Sequence, residues 1–144
     1  MGLTKGNERF GMLLRNKMLM LLLGGALGTY ARYGLSTWIG SPLWAKSFPL
    51  GTFLINVSGS FILGATAAII RERLPPEYGY LYLLIGTGFC GGYTTFSTFE
   101  LETFQLVQDG SWWLALLNIV GSVMAGFLGV LLAVILVGLL LPHK

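Results

Sequence analysis

The residues best suited to chemistry lie between Gly86 and Phe99, a segment that contains four glycines and four threonines. Glycine and β-branched threonine both weaken an α-helix. Gly91 and Gly92 fall near the middle of an uncharged, mostly apolar run, residues 78–99, which we predict to be a membrane-spanning helix. We expect that helix to break at the glycine pair. Carbonyls freed inside a membrane must be satisfied by protein or by an ion. The alternative is that the glycine pair only lets two helices cross closely.

Two phenylalanines follow in the same segment. Phe96 and Phe99 are three residues apart and therefore share a helix face, with Ser97, Thr98 and Glu102 on neighbouring faces. In a membrane helix, phenylalanine usually faces lipid or packs against another helix. An aromatic ring also has a positive edge, which can hold a small anion.

Short polar ladders occur in two further apolar runs. Asn56 is followed one turn later by Ser60, and Asn118 is followed one turn later by Ser122. The ordinary role of such groups is a hydrogen bond between helices, worth about 1 kcal/mol. Their amide and hydroxyl donors can also replace the water around an anion.

Few charged or nucleophilic groups remain. Arg32 is the only charge inside an apolar run, where an ionisable residue is a functional candidate, although it can also extend to the membrane surface. We expect it in a vestibule, and Glu100 and Glu102 as solvated caps. Cys90 is the single cysteine and His143 the single histidine. Because no nucleophile, base and orienting group can be assembled, the sequence does not indicate an enzyme.

The elements that position these groups follow from composition. Of 144 residues, 54% are hydrophobic and 10% charged, against about 25% charged in soluble domains. A hydrocarbon core about 30 Å thick needs about 20 apolar helical residues. The sequence therefore predicts an all-α membrane protein with an N-terminal tail (1–17), four transmembrane helices (18–39, 49–70, 78–99 and 112–141) and a C-terminal end (142–144).

Charge and small residues bear on orientation and assembly. Seven cations lie on the side of the termini, against Lys46 alone opposite, which places both termini in the cytoplasm, although four of the seven lie in the first 17 residues. Small residues recur at helix-packing spacings. Four helices make a poor wall for a pore, so we expect a path between the subunits of a two-fold dimer. The small residues are Gly24 and Gly28, Ser60 and Gly64, and Gly121, Gly126 and Gly129.

Taken together, three stretches closely resemble the Fluc (CrcB) family of microbial fluoride channels. They are Gly91-Gly92-Tyr93-Thr94-Thr95-Phe96-Ser97-Thr98-Phe99, the segment from Asn56 to Gly64, and the segment from Gly24 to Tyr33. The match covers all four predicted helices. The third-helix string is specific, whereas the glycine-rich first-helix motif alone is weak.

The resemblance implies a dual-topology, antiparallel homodimer in the cell membrane, with two pores that passively export cytoplasmic fluoride. A paired, oppositely oriented partner subunit is the alternative to a second copy. The resemblance further implies one structural Na⁺, held at the helix break by backbone carbonyls, by position those of Gly91 and Thr94. Asn118 stands where family members often carry tyrosine, so its role stays open. The implied pore residues are Phe96, Phe99, Asn56, Thr98, Glu102 and Ser122, with Arg32 in the vestibule.

Two other classes of protein fit the sequence less well. A small multidrug antiporter has a similar length, but it needs a membrane-embedded carboxylate, and the first three predicted helices contain none. A non-transporting scaffold subunit would use the glycines for packing and the polar residues for helix association. Only the third-helix string argues against the scaffold. Nucleic-acid binding is set aside, because the cations cluster at the ends of apolar helices, where lipid headgroups lie.

Overall fold

A computed structural model describes the backbone of residues 3–39 and 48–141 and the side chains of residues 16–39 and 48–141. These ranges are all-helical and contain no strand, which confirms the all-α part of the predicted fold class. Lys46 and the C-terminal end with His143 lie outside the described residues. The elements are α1 (Leu3–Ile39), α2 (Leu50–Arg73), a 3₁₀ turn (Pro76–Gly79), a π-helical segment (Tyr82–Cys90), α3 (Gly91–Tyr93), α4 (Phe96–Gln108) and α5 (Trp112–Leu140).

Within these described ranges four helices follow one another, the third being formed by the π-helical segment, α3 and α4. Among the described residues, α2 and α5 are long and apolar enough to cross a membrane by length and composition. Helix α1 begins at Leu3, so helical backbone extends through most of the predicted tail.

The third helix is interrupted at Thr94 and Thr95. Thr94 has φ −79° and ψ 158°, and Thr95 has φ −149° and ψ 115°, both outside the helical region. Gly91 and Gly92 are helical, so the expectation of a break at the glycine pair is wrong in position. A Cβ on Gly92 would press against the carbonyl oxygen of Gly25. Gly92 therefore serves close helix crossing, and the extended backbone falls on the β-branched residues that follow.

Several glycines let neighbouring helices approach closely, as their spacing predicts. A Cβ on Gly24 would overlap the carbonyl oxygen of Leu84, and one on Gly28 would overlap that of Phe89. These contacts hold α1 against the π-helical segment. Along α2 and α5, which run parallel, Ser60 faces Gly126 and Gly64 faces Val130. We refer to these two sets as the glycine contacts.

A tight turn joins α4 to α5. Gly110 has φ 74°, a conformation that glycine adopts without steric cost. The amide of Ser111 donates to the carbonyl of Leu106 at 2.8 Å, and that of Gly110 donates to Val107 at 3.0 Å. This pair of bonds is the Schellman motif, which ends α4 and reverses the chain. The reversal brings the start of α5 beside α4.

Candidate functional site

A cleft of about 530 Å³ lies beside the interruption of the third helix. Its walls come from α2, the third helix and α5. Six residues of the predicted site line it, so the fold brings most of the predicted set together. They are Asn56, Gly91, Thr94, Phe96, Phe99 and Ser122.

Asn56 holds the extended backbone from α2. Its Nδ2 donates to the carbonyl of Thr95 at 3.1 Å, and its Oδ1 accepts from the amide of Thr95 at 2.8 Å. The amide oxygen thus takes the place of the Gly91 carbonyl, which would accept from the Thr95 amide in a continuous helix. The amide nitrogen carries two hydrogens, so one N–H remains for the cleft. The interhelical role and the anion-donor role are compatible at this residue.

Thr95 also caps α4. Its Oγ1 accepts from the amide of Thr98 at 3.3 Å and donates to the hydroxyl of Thr98 at 2.9 Å. A threonine in this position satisfies an amide that has no partner within the helix. Helix α4 therefore begins at Phe96, and Thr98 is tied to its own N-terminus rather than to the cleft wall. The capping role of Thr95 was missed, although a threonine three residues before a helical polar residue is a recognisable signal.

Arg32 reaches the interruption from α1. Its Nε donates to the carbonyl of Gly92 at 3.1 Å, in a partly buried setting. In a continuous helix the amide of Phe96 would bond this carbonyl, but Phe96 lies beyond the interruption. The guanidinium thus satisfies a helix end whose carbonyls attract cations. Sequence reasoning placed Arg32 in a vestibule and did not foresee this bond.

Two other carbonyls at the interruption lose their helical donors. The amide of Thr95 bonds Asn56 instead of Gly91, and the amide of Thr98 bonds the Thr95 hydroxyl instead of Thr94. A Cβ on Gly91 would meet nothing within 4 Å, so this residue faces open space. No group of three or more His, Cys, Asp or Glu side chains suited to a metal occurs in the described part of the chain. The carbonyls of Gly91 and Thr94 thus both lie at the interruption without their helical amide donors.

The two phenylalanines lie side by side, as their spacing predicts. Their ring centroids are 5.7 Å apart with an interplanar angle of 37°. Phe96 is 70% exposed in the single chain, whereas Phe99 is 8% exposed. One ring therefore stands at the mouth of the cleft and the other is part of its wall.

Glu102 departs from the expected solvated cap. The hydroxyl of Thr52 donates to Glu102 Oε1 at 2.9 Å. The other carboxylate oxygen, Oε2, is buried and has no hydrogen-bond partner among the described atoms. Glu100 is exposed, as expected. Glu102 thus belongs to the polar contacts between α2 and α4, one turn along from Thr98, and lies outside the cleft lining.

Asn118 is among the most buried residues, at 1% exposure. Its Nδ2 donates to the hydroxyl of Thr103 at 2.8 Å, and the hydroxyl of Ser122 donates to its Oδ1 at 3.2 Å. The predicted ladder of Asn118 and Ser122 is thus a hydrogen-bonded pair that also joins α5 to α4. Thr103 was not singled out, because a lone threonine in an amphipathic helix carries no distinguishing pattern.

Comparison with known proteins agrees with the pattern in the sequence. Residues 19–134 match the family described as CrcB-like protein, Camphor Resistance (CrcB). A protein of Solibacter usitatus named fluoride-specific ion channel FluC is 46% identical over 79% of this chain and 92% of its own length. A protein of the same name from Pyrococcus abyssi is 43% identical, over 80% and 94% respectively. One of Moorella thermoacetica, fluoride-specific ion channel FluC 2, is 45% identical over 73% and 83%. With its apolar helices, this chain is a membrane protein that belongs to the CrcB family.

Proposed function

We propose that this protein is a fluoride channel, which lets fluoride leave the cytoplasm down its gradient through the cell membrane. The observation that carries the proposal is the cleft at the helix interruption, lined by amide and hydroxyl groups and by an aromatic pair. Its similarity to proteins named fluoride-specific ion channels supports the choice of ion.

The proposed assembly is an antiparallel dimer of two copies, or of this chain with an oppositely oriented partner, in which each subunit crosses the membrane four times. The cleft supports this because one side of it is open and Phe96 stands exposed at that side. Closing it requires a surface that a second subunit can supply. Two such clefts, one for each subunit, would make two pores.

The proposed mechanism replaces the hydration of fluoride step by step. The free N–H of Asn56 donates to the ion, and the edges of Phe96 and Phe99 offer partial positive charge. Ser122 completes the path in the cleft, and Thr98 and Glu102 continue it along α4. Arg32 stands near one end, where its charge attracts anions. A narrow path of this kind disfavours chloride, because chloride is larger.

We further propose that the carbonyls of Gly91 and Thr94 from both subunits hold one Na⁺. Their freedom from helical amide donors and the open space beside Gly91 support a fit. Carbonyl oxygens suit a hard cation, which supplies positive charge beside the cleft when bound. The chain itself keeps those carbonyls available, because Asn56 and Thr95 bind the amides that would otherwise use them.

The experiment that tests the function is fluoride efflux from liposomes that contain the purified protein, read with a fluoride electrode. Chloride-loaded liposomes are the control for selectivity. Fast fluoride release without chloride release is expected, and Phe96→Ile is expected to reduce it strongly in a folded dimer. No release from folded protein would refute a homomeric channel, and undiminished release by Phe96→Ile would refute the role of that ring.

A further inference from the structure

Four groups form one hydrogen-bonded chain from the cleft into the contact between α5 and α4. Ser122 Oγ lies 3.2 Å from Asn118 Oδ1, Asn118 Nδ2 lies 2.8 Å from Thr103 Oγ1, and Thr103 Oγ1 lies 2.7 Å from the Phe99 carbonyl. The first member, Ser122, lines the cleft. The last acceptor belongs to the backbone of one of its two phenylalanines.

The number of hydrogens on each group fixes which group donates and which accepts along this hydrogen-bonded series. A carbonyl only accepts and a hydroxyl carries one hydrogen, so Thr103 gives its hydrogen to Phe99. Thr103 can then only accept from Asn118, which turns the amide NH₂ toward Thr103 and the amide oxygen toward Ser122. Ser122 must be the donor in the remaining bond. Its hydrogen therefore points at Asn118, and its lone pairs are left for the cleft.

This orientation opposes the binding of an anion at Ser122. To donate to fluoride, the Ser122 hydroxyl must rotate and release Asn118 Oδ1. The amide is 1% exposed, so its oxygen would lose its donor with no water to replace it, which is costly. A channel needs sites that bind an ion weakly enough to release it.

We propose that Asn118 is a positioning residue that holds the Ser122 hydrogen away from the cleft and so weakens fluoride binding at Ser122. The inference rests on the proposed function. It assigns a role to a residue that need not contact the ion, and it makes the strength of fluoride binding depend on a buried amide.

The test is the fluoride concentration that gives half-maximal initial efflux from liposomes, at constant ionic strength. Asn118→Leu keeps the branched shape of the side chain and removes the acceptor. Its half-saturating concentration is expected to fall about three- to tenfold, the ratio corresponding to one net hydrogen bond. In a Ser122→Ala background the same substitution is expected to change nothing, because no hydroxyl is left to release.

A second variant keeps the test decisive if Asn118→Leu fails to fold. Thr103→Val removes the group that fixes the amide, which can then turn its NH₂ toward Ser122 and free the Ser122 hydrogen. The half-saturating concentration is again expected to fall. Thr66→Val is the matched control, because the Thr66 hydroxyl is also buried and, among the described side chains and backbone, bonds only the Ile62 carbonyl, at 2.7 Å. It is expected to leave the concentration unchanged.

The outcomes separate the inference from the function. A merely structural role for Asn118 would scale the maximal efflux and leave the half-saturating concentration unchanged, which would overturn the inference. Equal shifts with and without the Ser122→Ala substitution would also overturn it. Absence of fluoride efflux from the unsubstituted protein would instead overturn the proposed function, on which the inference depends.

Discussion

The glycine contacts and the interruption of the third helix differ in what satisfies the backbone. At the glycine contacts the touching segments are helical on both sides, and the backbones approach because side chains are absent. At the interruption, side chains of other helices, Asn56 and Arg32, bond the backbone in place of the missing helical partners. Substitutions at the glycine contacts should therefore affect folding. Substitutions at the interruption should affect fluoride flux in a protein that still folds.

The sharpest test of the glycine contacts adds one methyl group. Gly28→Ala would place a Cβ against the carbonyl of Phe89, and overpacking against backbone should cost about 3 kcal/mol of folding free energy. Gly34→Ala is the matched control in the same helix, because a Cβ there meets nothing within 4 Å. Thermal unfolding in detergent should show a clear loss for Gly28→Ala only. Equal melting temperatures would remove the distinction.

The role of the interruption in fluoride flux is tested at Asn56. Asn56→Asp removes the N–H that bonds the Thr95 carbonyl and sets a carboxylate beside that oxygen. Fluoride efflux should fall roughly 30-fold, equivalent to about 2 kcal/mol, because a buried contact loses its donor and two acceptors are set against each other. Ser58→Ala is the control, because Ser58 also bonds the third helix from α2, through the Tyr93 hydroxyl at 2.9 Å, but lies outside the cleft lining. Efflux at the original rate from a folded dimer of the Asn56→Asp variant would contradict the assignment.

Substitutions of Arg32 distinguish its hydrogen bond to the Gly92 carbonyl from the effect of its positive charge alone. If the bond to Gly92 matters, Arg32→Lys and Arg32→Gln should both lose about tenfold in efflux, the value of one hydrogen bond to a charged group. The loss should persist at high ionic strength. If Arg32 only attracts anions, lysine should preserve efflux, and the deficit of glutamine should fade as salt screens the charge. Efflux at low and high salt therefore distinguishes the two.

The smallest effect is expected at the cap of α4. Thr95→Ala removes the oxygen that accepts from the Thr98 amide and should cost about 1 kcal/mol of stability. Ser97→Ala, two residues on and exposed, is the control. Unfolding in detergent should separate the two variants by a few degrees. Identical unfolding curves would show that the Thr95 cap does not contribute to the stability of the protein.

Much of this arrangement follows from sequence. The all-helical class, the glycine contacts at Gly24, Gly28 and Gly64, and the neighbouring rings of Phe96 and Phe99 all come from composition and periodicity. These patterns are local or depend on residue size alone. They carry through to the folded chain because close helix packing leaves room only for small residues.

The rest depends on contacts between distant residues. Gly91 and Gly92 indicated a break, yet the helix continues through them, because Asn56 competes for the backbone of Thr95, 39 residues away in the chain. Arg32 bonds Gly92 across 60 residues. No period or propensity in a single segment contains such information. The same holds for Thr103, whose role follows from the position of Asn118 on another helix.

The interruption has an electrical consequence. A helix carries partial negative charge at its carboxyl end and partial positive charge at its amino end. In a continuous helix these poles are far apart, but here the end at Tyr93 and the new start at Phe96 are separated by only two residues. One gap of two threonines thus sets both poles of opposite sign side by side. A cationic group, as Arg32 already is, and an anion can then be stabilised at adjacent places by the backbone alone.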